Sequence, residues 1–318
     1  MDGFEVIRPG PLTTIQDLGR YGYQQYGIPP SGAMDNYACR VSNLLVGNDE
    51  NAACLEITLF GLRLRALNDT VIAVSGGDQG ATLNCNPIPL WQAITVRRGD
   101  MITFLRYKSG CRSYLAVAGG INKVPSIMGS ASTNIRTGIG GLDGRALQAG
   151  DLIQFKESSI ATVLRKIPPE YIPAYREHIE LRVMLGPQDD RFTEEGIHTF
   201  LTSEYSVSHQ ADRMGYRLTG PRIQHKKGAD IVYDGIPLGA IQVPGDGSPI
   251  ILLADRPTTG GYTKIAVVIS ADISCLAQTK PGDTIRFRQV SENQALGALK
   301  EYEQKLERIG YLLQERNT

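Results

Sequence analysis

Short runs of alternating apolar and polar residues dominate the chain. Residues 70–84 contain two such runs around a glycine-rich stretch, and "QAITVRRGDMITFL" and "RSYLAVAGG" follow closely. Alternation with a period of two is typical of half-buried strands, and this close spacing is typical of sandwiches and barrels. The glycine-rich "SGGDQG" is interpreted as a wide hairpin loop. The pattern predicts a mainly β protein with many short strands.

A Gly–Asp turn leads into an alternating strand at three places. "GDMITF" begins at Gly99, "GDLIQF" at Gly150 and "GDTIRF" at Gly282. Ordinary turn chemistry explains this repeat as well as internal duplication of a barrel element does. Because the third copy lies in the second half of the chain, the repeat favours two related β domains. In each copy an isoleucine and a phenylalanine share one strand face and are predicted to be buried, namely Ile102 and Phe104, Ile153 and Phe155, and Ile285 and Phe287.

Prolines interrupt the strand pattern between the halves. We predict an N-terminal β-barrel domain at residues 1–157, a linker at 158–179, a second β-barrel domain at 180–290 and a C-terminal helix at 291–318.

Three helices are predicted from caps and apolar spacing. The first is capped by Asp35 and ends at Gly47, and the second starts at Thr193. Ser291 and Gln294 form a capping box for the third. Its apolar face is expected to pack on the protein body or on another copy of the chain in a homo-oligomer, and that face consists of Leu296, Leu299, Leu306, Ile309 and Leu313.

Composition narrows the function classes. Lys plus Arg equals Asp plus Glu at 33 each, which argues against a nucleic-acid or anionic-membrane partner. The chain shows no secretory signal, no membrane-length apolar run and no Cys-x-x-Cys pair among its five cysteines. We therefore expect a cytoplasmic protein without a structural metal. Phosphate-loop and nucleophile-elbow motifs are also missing.

Two segments are rich in both polar and flexible residues. Residues 13–36 separate their polar side chains with glycines and prolines, as ligand-binding loops do. An ion pair between Asp17 and Arg20 that only fixes the loop is an equally good interpretation. The candidate binding residues are Gln16, Asp17, Arg20 and Asn36, and Asp35 is a candidate catalytic residue or a helix cap.

The second segment covers residues 241–266. It changes abruptly from the apolar "PIILLA" to "DRPTTGGYTK". Asp255 follows a buried strand, where a carboxylate is held rigidly, and Lys264 can neutralise an anion. Alternatively, Asp255 caps a turn and Lys264 is a solvated strand residue. Asp255 and Lys264 are the candidate catalytic residues, and the candidate substrate- or ATP-binding residues are Gln242, Thr258, Thr259, Gly260, Gly261 and Tyr262.

The same segments carry a family resemblance. "TTIQDLGRYGYQQYGIPPSGAMDNYACRVSNLLVGN", "GSASTN", "GPQDDRF", "DRMGYRLTGP" and "GAIQVPGDGSPIILLADRPTTGGYTKIAVV" occur in order between about residues 9 and 287. Together they resemble the family of the 5-oxoprolinase C subunit, also labelled biotin-dependent carboxyltransferase, allophanate hydrolase subunit 2 or KipA-like.

The resemblance implies two tandem cyclophilin-like β-barrels. It also implies an ATP-hydrolysing enzyme that opens 5-oxoproline to L-glutamate in a complex with the 5-oxoprolinase A and B subunits, of which the B subunit is the most direct partner. ATP and Mg²⁺ would act in that complex. Under this interpretation the two polar segments form two walls of one site.

Two alternatives come with the same family. One is the carboxyltransferase component of a biotin-dependent urea carboxylase, which would need a separate carrier because the chain has no Met-Lys-Met biotinylation site. The other is a regulatory partner of a histidine-kinase inhibitor, itself a homologue of the 5-oxoprolinase B subunit.

Overall fold

The computed structural model describes residues 3–156 and 165–315, which group into two compact units. Unit 1 contains the described residues of Met1–Arg20, Ser31–Tyr175 and Gln304–Thr318, and unit 2 contains Tyr21–Pro30 and Arg176–Glu303. Of the predicted linker, residues 158–164 lie outside the described residues, 165–175 belong to unit 1 and 176–179 to unit 2.

Unit 1 is built from two antiparallel sheets and one helix. The six-stranded sheet has the order β11-β1-β4-β9-β6-β7, and the five-stranded sheet has the order β2-β3-β10-β5-β8. The elements are β1 Phe4–Pro9, β2 Leu12–Gln16, α1 Asn36–Leu45, β3 Cys54–Thr58, β4 Leu62–Ala66, β5 Thr70–Asp78, β6 Ala81–Leu83, β7 Asn86–Pro87, β8 Gln92–Val96, β9 Met101–Phe104, β10 Ser109–Val117 and β11 Leu152–Ile153.

Both sheets of unit 1 contribute to one apolar core. Phe4 on β1 and Phe104 on β9 belong to the same buried cluster as Leu55 on β3 and Ile72 on β5. Alternation along each strand directs these side chains inward. Residues 75–78 also belong to β5, so the interpretation of "SGGDQG" as a wide loop is wrong. Gly76 and Gly77 continue a buried strand, and only Gln79 and Gly80 connect β5 to β6.

Helix α1 begins and ends close to its predicted limits. Asp35 is its N-cap, and the buried side chains include Ala38, Val41 and Leu45. The helix packs on β5 and β10. Burial of this face, together with the cap, explains why a short helix is stable here.

Unit 2 contains a closed seven-stranded barrel in the order β12-β19-β16-β17-β14-β13-β20, and β15 pairs with β18 in a separate ribbon. The predicted mainly β fold with a few helices is therefore confirmed. The elements are β12 His178–Leu185, α2 Glu194–Thr202, β13 Glu204–Ala211, β14 Gly215–Thr219, β15 Asp230–Gly235, β16 Ala240–Gln242, β17 Ile250–Leu252, β18 Thr259–Tyr262, β19 Lys264–Val268, α3 Ile273–Leu276, β20 Thr284–Gln289 and the C-terminal helix α4, Glu292–Glu315.

The three Gly–Asp turns share one geometry. Their glycines have φ values of 90°, 90° and 94°, a region that favours glycine. Each aspartate side chain accepts a hydrogen bond from the backbone amide three residues earlier, at 2.7–2.9 Å. The predicted isoleucine and phenylalanine pairs after the turns are all buried. In each unit the last such turn leads into a strand that pairs with that unit's first strand, β11 with β1 and β20 with β12.

The two later helices begin where predicted. Thr193 caps α2 by accepting a hydrogen bond from the Gly196 amide, and the Ser291–Gln294 capping box of α4 is present. Leu296 is 48% exposed, so its predicted place on the buried face is wrong. Ala298 is buried instead, in a cluster with Ile269 and Val290. Among the described residues no helix has the length and apolarity needed to cross a membrane.

Candidate functional site

The opening polar segment is fastened by Asp17. Its Oδ1 accepts hydrogen bonds from the hydroxyls of Ser130 and Ser132, at 2.6 and 2.5 Å, and from the Gly19 amide at 2.8 Å. Its Oδ2 accepts one from the Ala131 amide at 2.6 Å. Asp17 is only 5% exposed. The carboxylate therefore joins the start of the segment to the "GSASTN" motif.

Arg20 is buried beside the same motif. Its Nη2 donates to the Ser132 carbonyl. Gly140, with φ of 73°, passes so close that a Cβ would lie 2.0 Å from that carbonyl oxygen and 2.7 Å from Arg20 Nη2. A glycine is required because the backbone approaches this closely in the left-handed region.

Gln16 and Asn36 each carry a buried side-chain oxygen. Gln16 Nε2 donates to the Thr14 hydroxyl and the Thr133 carbonyl, both at 3.0 Å. Gln16 Oε1 and Asn36 Oδ1 have no hydrogen-bond partner within the part of the chain that the structure describes. Buried oxygens without partners are costly and are frequent at functional sites. Gln16 and Asn36 therefore remain candidates for binding a ligand.

Asp35 links the N-terminus of α1 to its surroundings. Oδ1 accepts from the Ala38 amide at 3.0 Å, and Oδ2 accepts from the Tyr175 hydroxyl at 2.9 Å. The Asp35 amide donates to the Tyr114 hydroxyl at 2.8 Å. The predicted capping role is confirmed, and the catalytic role stays a prediction.

Sequence analysis missed a buried polar group next to Asp35. The Tyr114 hydroxyl donates to Glu56 Oε2 at 2.7 Å, and Glu56 Oε1 lies 3.9 Å from Arg112 Nε. Burial raises the pKa of Tyr114 well above its usual range, and the charges of Glu56 and Asp35 add to the increase. A glutamate within "CLEIT" and an arginine within "CRSYLAV" were the available signals, because charged residues rarely point inward from apolar strands unless paired.

In unit 2, Lys264 is completely buried, so the alternative of a solvated strand residue is wrong. Its Nζ donates to Asp234 Oδ2 at 2.7 Å, and Gln188 Nε2 donates to the same oxygen at 3.1 Å. These two hydrogen bonds lower the pKa of Asp234, and the one from Lys264 has the larger effect. The Asp234 side chain is 48% exposed, so the pair joins a buried cation to a carboxylate that solvent reaches.

Asp255 forms a buried ion pair with Arg213 of the "DRMGYRLTGP" motif. Arg213 Nε donates to Oδ2 at 2.9 Å, and Nη2 donates to Oδ1 at 3.2 Å. The two side chains are 10% and 6% exposed. Both oxygens of Asp255 are thus bound by one planar guanidinium, which holds the turn after β17 in place.

The predicted binding residues around Thr259 form a strand rather than a loop. Gly260 and Gly261 lie on β18, where Gly260 pairs with Asp234. Their amides therefore belong to an extended strand, and the binding role of the two glycines stays a prediction. A Cβ on Gly260 would lie 2.7 Å from Gln242 Nε2. Gln242 is itself the register partner of Lys264.

The structure therefore brings part of the second segment together. Gln242, Gly260 and Lys264 lie around Asp234, whereas Asp255 pairs with Arg213. Thr258 contributes its carbonyl oxygen to the Ile236 amide, and Tyr262 is 41% exposed. The two-wall hypothesis stays a prediction.

Mg²⁺, which the resemblance implies, was tested against these side chains. The carboxylate oxygens of Asp35 and Asp255 already accept hydrogen bonds. Within residues 3–156 and 165–315, no group of three or more His, Cys, Asp or Glu side chains is arranged to hold a metal ion. The candidate residues therefore form no Mg²⁺ site made of protein ligands alone.

The barrel, the polar turn after β17 and the buried lysine on β19 lie within a stretch that matches a known class of protein, the carboxyltransferase domains. The model of the carboxyltransferase domain, subdomains A and B, matches residues 26–289. This match covers most of the chain, which therefore belongs to the carboxyltransferase domain family.

Individual relatives agree with this assignment. The chain is 39% identical to the C subunit of Escherichia coli 5-oxoprolinase over 98% of this chain and 99% of that protein. It is 38% identical to the C subunit of Haemophilus influenzae 5-oxoprolinase over 96% of both. The crystal structure of the K. lactis urea amidolyase superposes with a TM-score of 0.90 and 35% identity, over 96% of this chain and 20% of that one.

Proposed function

We propose that this chain is the C subunit of an ATP-dependent 5-oxoprolinase, which opens 5-oxoproline to L-glutamate together with the A and B subunits. The observation that carries the proposal is the end-to-end match to the C subunit of the E. coli enzyme, which covers 98% of this chain and 99% of that protein. The K. lactis urea amidolyase is instead matched over 20% of its length. The 5-oxoprolinase subunit is therefore matched along nearly its whole length, whereas the urea amidolyase is matched over about a fifth of its own.

The chemistry sets what the complex must provide. A lactam is a poor electrophile, and phosphorylation of its carbonyl oxygen by ATP supplies a leaving group before water attacks. We assign ATP and Mg²⁺ to the assembled complex, because the candidate residues form no metal site made of protein ligands alone. The B subunit is the proposed direct partner, and the proposed compartment is the cytoplasm.

The Lys264–Asp234 pair is the proposed catalytic group of unit 2. The lowered pKa of Asp234 keeps its carboxylate ionised at neutral pH, so it can accept a hydrogen bond from a lactam N–H. Lys264 is enclosed and held by Asp234, and a fixed cation near a reacting centre stabilises developing negative charge without reorganisation. Asp255 then acts as a positioning residue through Arg213.

The test combines the purified chain with the A and B subunits, ATP, Mg²⁺ and 5-oxoproline, and measures glutamate and phosphate. We expect turnover only when all three proteins are present. Strong turnover by the isolated chain would contradict the proposal. Within the complex, Lys264→Met should lower kcat by about 10²–10³-fold, as loss of one transition-state donor does.

Two further variants separate catalysis from folding. Lys264→Arg should not restore turnover, because a planar guanidinium does not replace a compact ammonium group. Ser208→Ala, at a partly buried position on β13, serves as the matched control and should keep full activity. If Lys264→Met lost melting temperature but kept kcat, the lysine would be structural only.

A second function, carboxyl transfer to urea, is favoured by the superposition with the K. lactis urea amidolyase. The same assay with urea and a biotinylated carrier tests it. Carboxylation of urea, without release of glutamate from 5-oxoproline, would replace the proposed function by this one.

A further inference from the structure

Arg256 is a buried arginine that the functional assignments above leave unused. It follows Asp255 in the turn after β17 and is only 7% exposed. Its Nε donates to the Ile236 carbonyl at 2.9 Å, and its Nη1 donates to the Leu253 carbonyl at 3.2 Å. Both partners are neutral, so the guanidinium is oriented but its charge is not compensated.

In the part of the chain that the structure describes, several other buried or half-buried arginines contact a carboxylate, unlike Arg256. Asp151 and Asp272 raise the pKa values of Arg145 and Arg182, which they contact. Burial lowers the pKa of Arg256, yet a guanidinium remains protonated at neutral pH. Among the described residues, no carboxylate lies within 4.0 Å of Arg256 to form an ion pair.

The remaining donors of Arg256 are available to a ligand. A guanidinium has five N–H groups, and two are used by the carbonyls of Ile236 and Leu253. Nη2 makes no hydrogen bond to the described residues, and it is not among the fully enclosed nitrogen atoms that lack a partner, so it is not completely enclosed. A buried guanidinium that two carbonyls hold in place, and whose Nη2 has no partner among the described residues, is suited to binding an anion.

We propose that Arg256 binds the carboxylate of a small-molecule ligand through its Nη2 end. A singly charged carboxylate matches one guanidinium, whereas phosphate sites usually combine several donors and cations. The position also suits the reaction, because Ile236, which accepts from Arg256, follows β15, the strand that carries Asp234. The turn at Arg256 and the Lys264–Asp234 pair thus meet along one short stretch of backbone.

Two ligands could supply this carboxylate. One is 5-oxoproline, whose ring carries a single carboxylate, and the other is a bicarbonate-derived group such as a carboxylated carrier. The choice of 5-oxoproline rests on the proposed function, whereas the carboxylate site itself does not. Urea has no carboxylate, so Arg256 would distinguish the two candidate substrates.

Equilibrium binding tests the inference without turnover. Calorimetry or ligand-observed NMR would compare 5-oxoproline with 2-pyrrolidinone, the same lactam without the carboxylate, on the full chain alone and in the complex. Bicarbonate forms a third arm. We expect 5-oxoproline to bind about 10- to 100-fold more tightly than 2-pyrrolidinone, the range for one charged hydrogen-bonding group. Binding of bicarbonate with no binding of 5-oxoproline would keep the site and assign it to the other source.

Matched Arg→Lys variants complete the test. Arg256→Lys should weaken carboxylate binding about 10-fold or more and leave 2-pyrrolidinone binding unchanged, because lysine keeps the charge but loses the fork. Arg288→Lys is the control, since that side chain is 52% exposed and pairs with Glu180. Equal affinity for the two lactams, no carboxylate binding in either preparation, or unchanged binding in a folded Arg256→Lys would overturn the inference. Turnover of the wild-type complex reports separately on the proposed function.

Discussion

Replacing Asp17 with asparagine tests whether this carboxylate fastens the opening segment. The wild-type side chain accepts four hydrogen bonds, three at Oδ1 and one at Oδ2. An asparagine can keep its oxygen toward the three donors, but its amino group then faces the Ala131 amide. Two donors meet there, and one charge-assisted hydrogen bond is lost.

The expected cost follows from these contacts. A hydrogen bond to a charged group contributes about 1.5–3 kcal/mol, and a buried donor left without an acceptor costs about 1–3 kcal/mol. Since these contributions overlap, we expect Asp17→Asn to lower the free energy of unfolding by about 2–4 kcal/mol. For a unit of this size, each kcal/mol lowers the melting temperature by about 2–4 °C.

Thermal unfolding followed by circular dichroism measures the effect. Asp143→Asn is the matched control, because the Asp143 side chain is 79% exposed and its φ of 56° is one that asparagine tolerates. The control should change the free energy of unfolding by less than about 0.5 kcal/mol. If Asp17→Asn melted within about 1 °C of the wild type, the fastening role would be refuted.

Three other predictions follow from the described contacts. Asp35→Ala should lower stability by about 2–4 kcal/mol in urea unfolding, because both the cap and the Tyr175 hydrogen bond to the carboxylate are lost, and normal turnover in the assembled enzyme would make Asp35 structural only. Asp234→Asn should reduce stability at pH values above the usual aspartate pKa, and the difference from wild type should vanish as the pH falls through the lowered pKa of Asp234 in the folded protein. The reason is that a carboxyl group with a lowered pKa stabilises the folded state at pH values above its unfolded-state pKa, and it loses that stabilisation on protonation. A pH-independent difference in melting temperature would contradict this. Replacing the glycine of each Gly–Asp turn by alanine should cost about 1–2 kcal/mol at all three sites, since the cause is the shared backbone conformation, and markedly unequal melting losses would refute the common turn.

Local patterns gave the parts of the fold that depend on neighbouring residues. Caps identified the starts of α1, α2 and α4, because the capping side chain and the amide it satisfies are three residues apart. Alternation identified the buried isoleucine and phenylalanine pairs. "SGGDQG" was misread because its composition is typical of a loop, whereas pairing with β8 and β10 keeps residues 70–78 extended.

The candidate site could be located but not resolved from sequence. Polar and flexible residues indicated both segments, yet the partners of Asp255 and Lys264 lie 42 and 30 residues away in the chain. No feature of the neighbouring sequence indicates that Arg213 or Asp234 forms such a pair. Arg256 was passed over for a related reason, since the absence of a compensating carboxylate is visible only when its surroundings are known.

In each unit the first strand pairs with the last. Phe4 on β1 pairs with Ile153 on β11, and His178 on β12 pairs with Thr284 on β20. A ribosome releases the first strand of each unit long before the last, so a nascent chain carries an open strand edge while the residues between them are translated. The interval ends when β11 or β20 emerges after its Gly–Asp turn, so a pause in translation just before either turn would lengthen the time in which unpaired edges can aggregate.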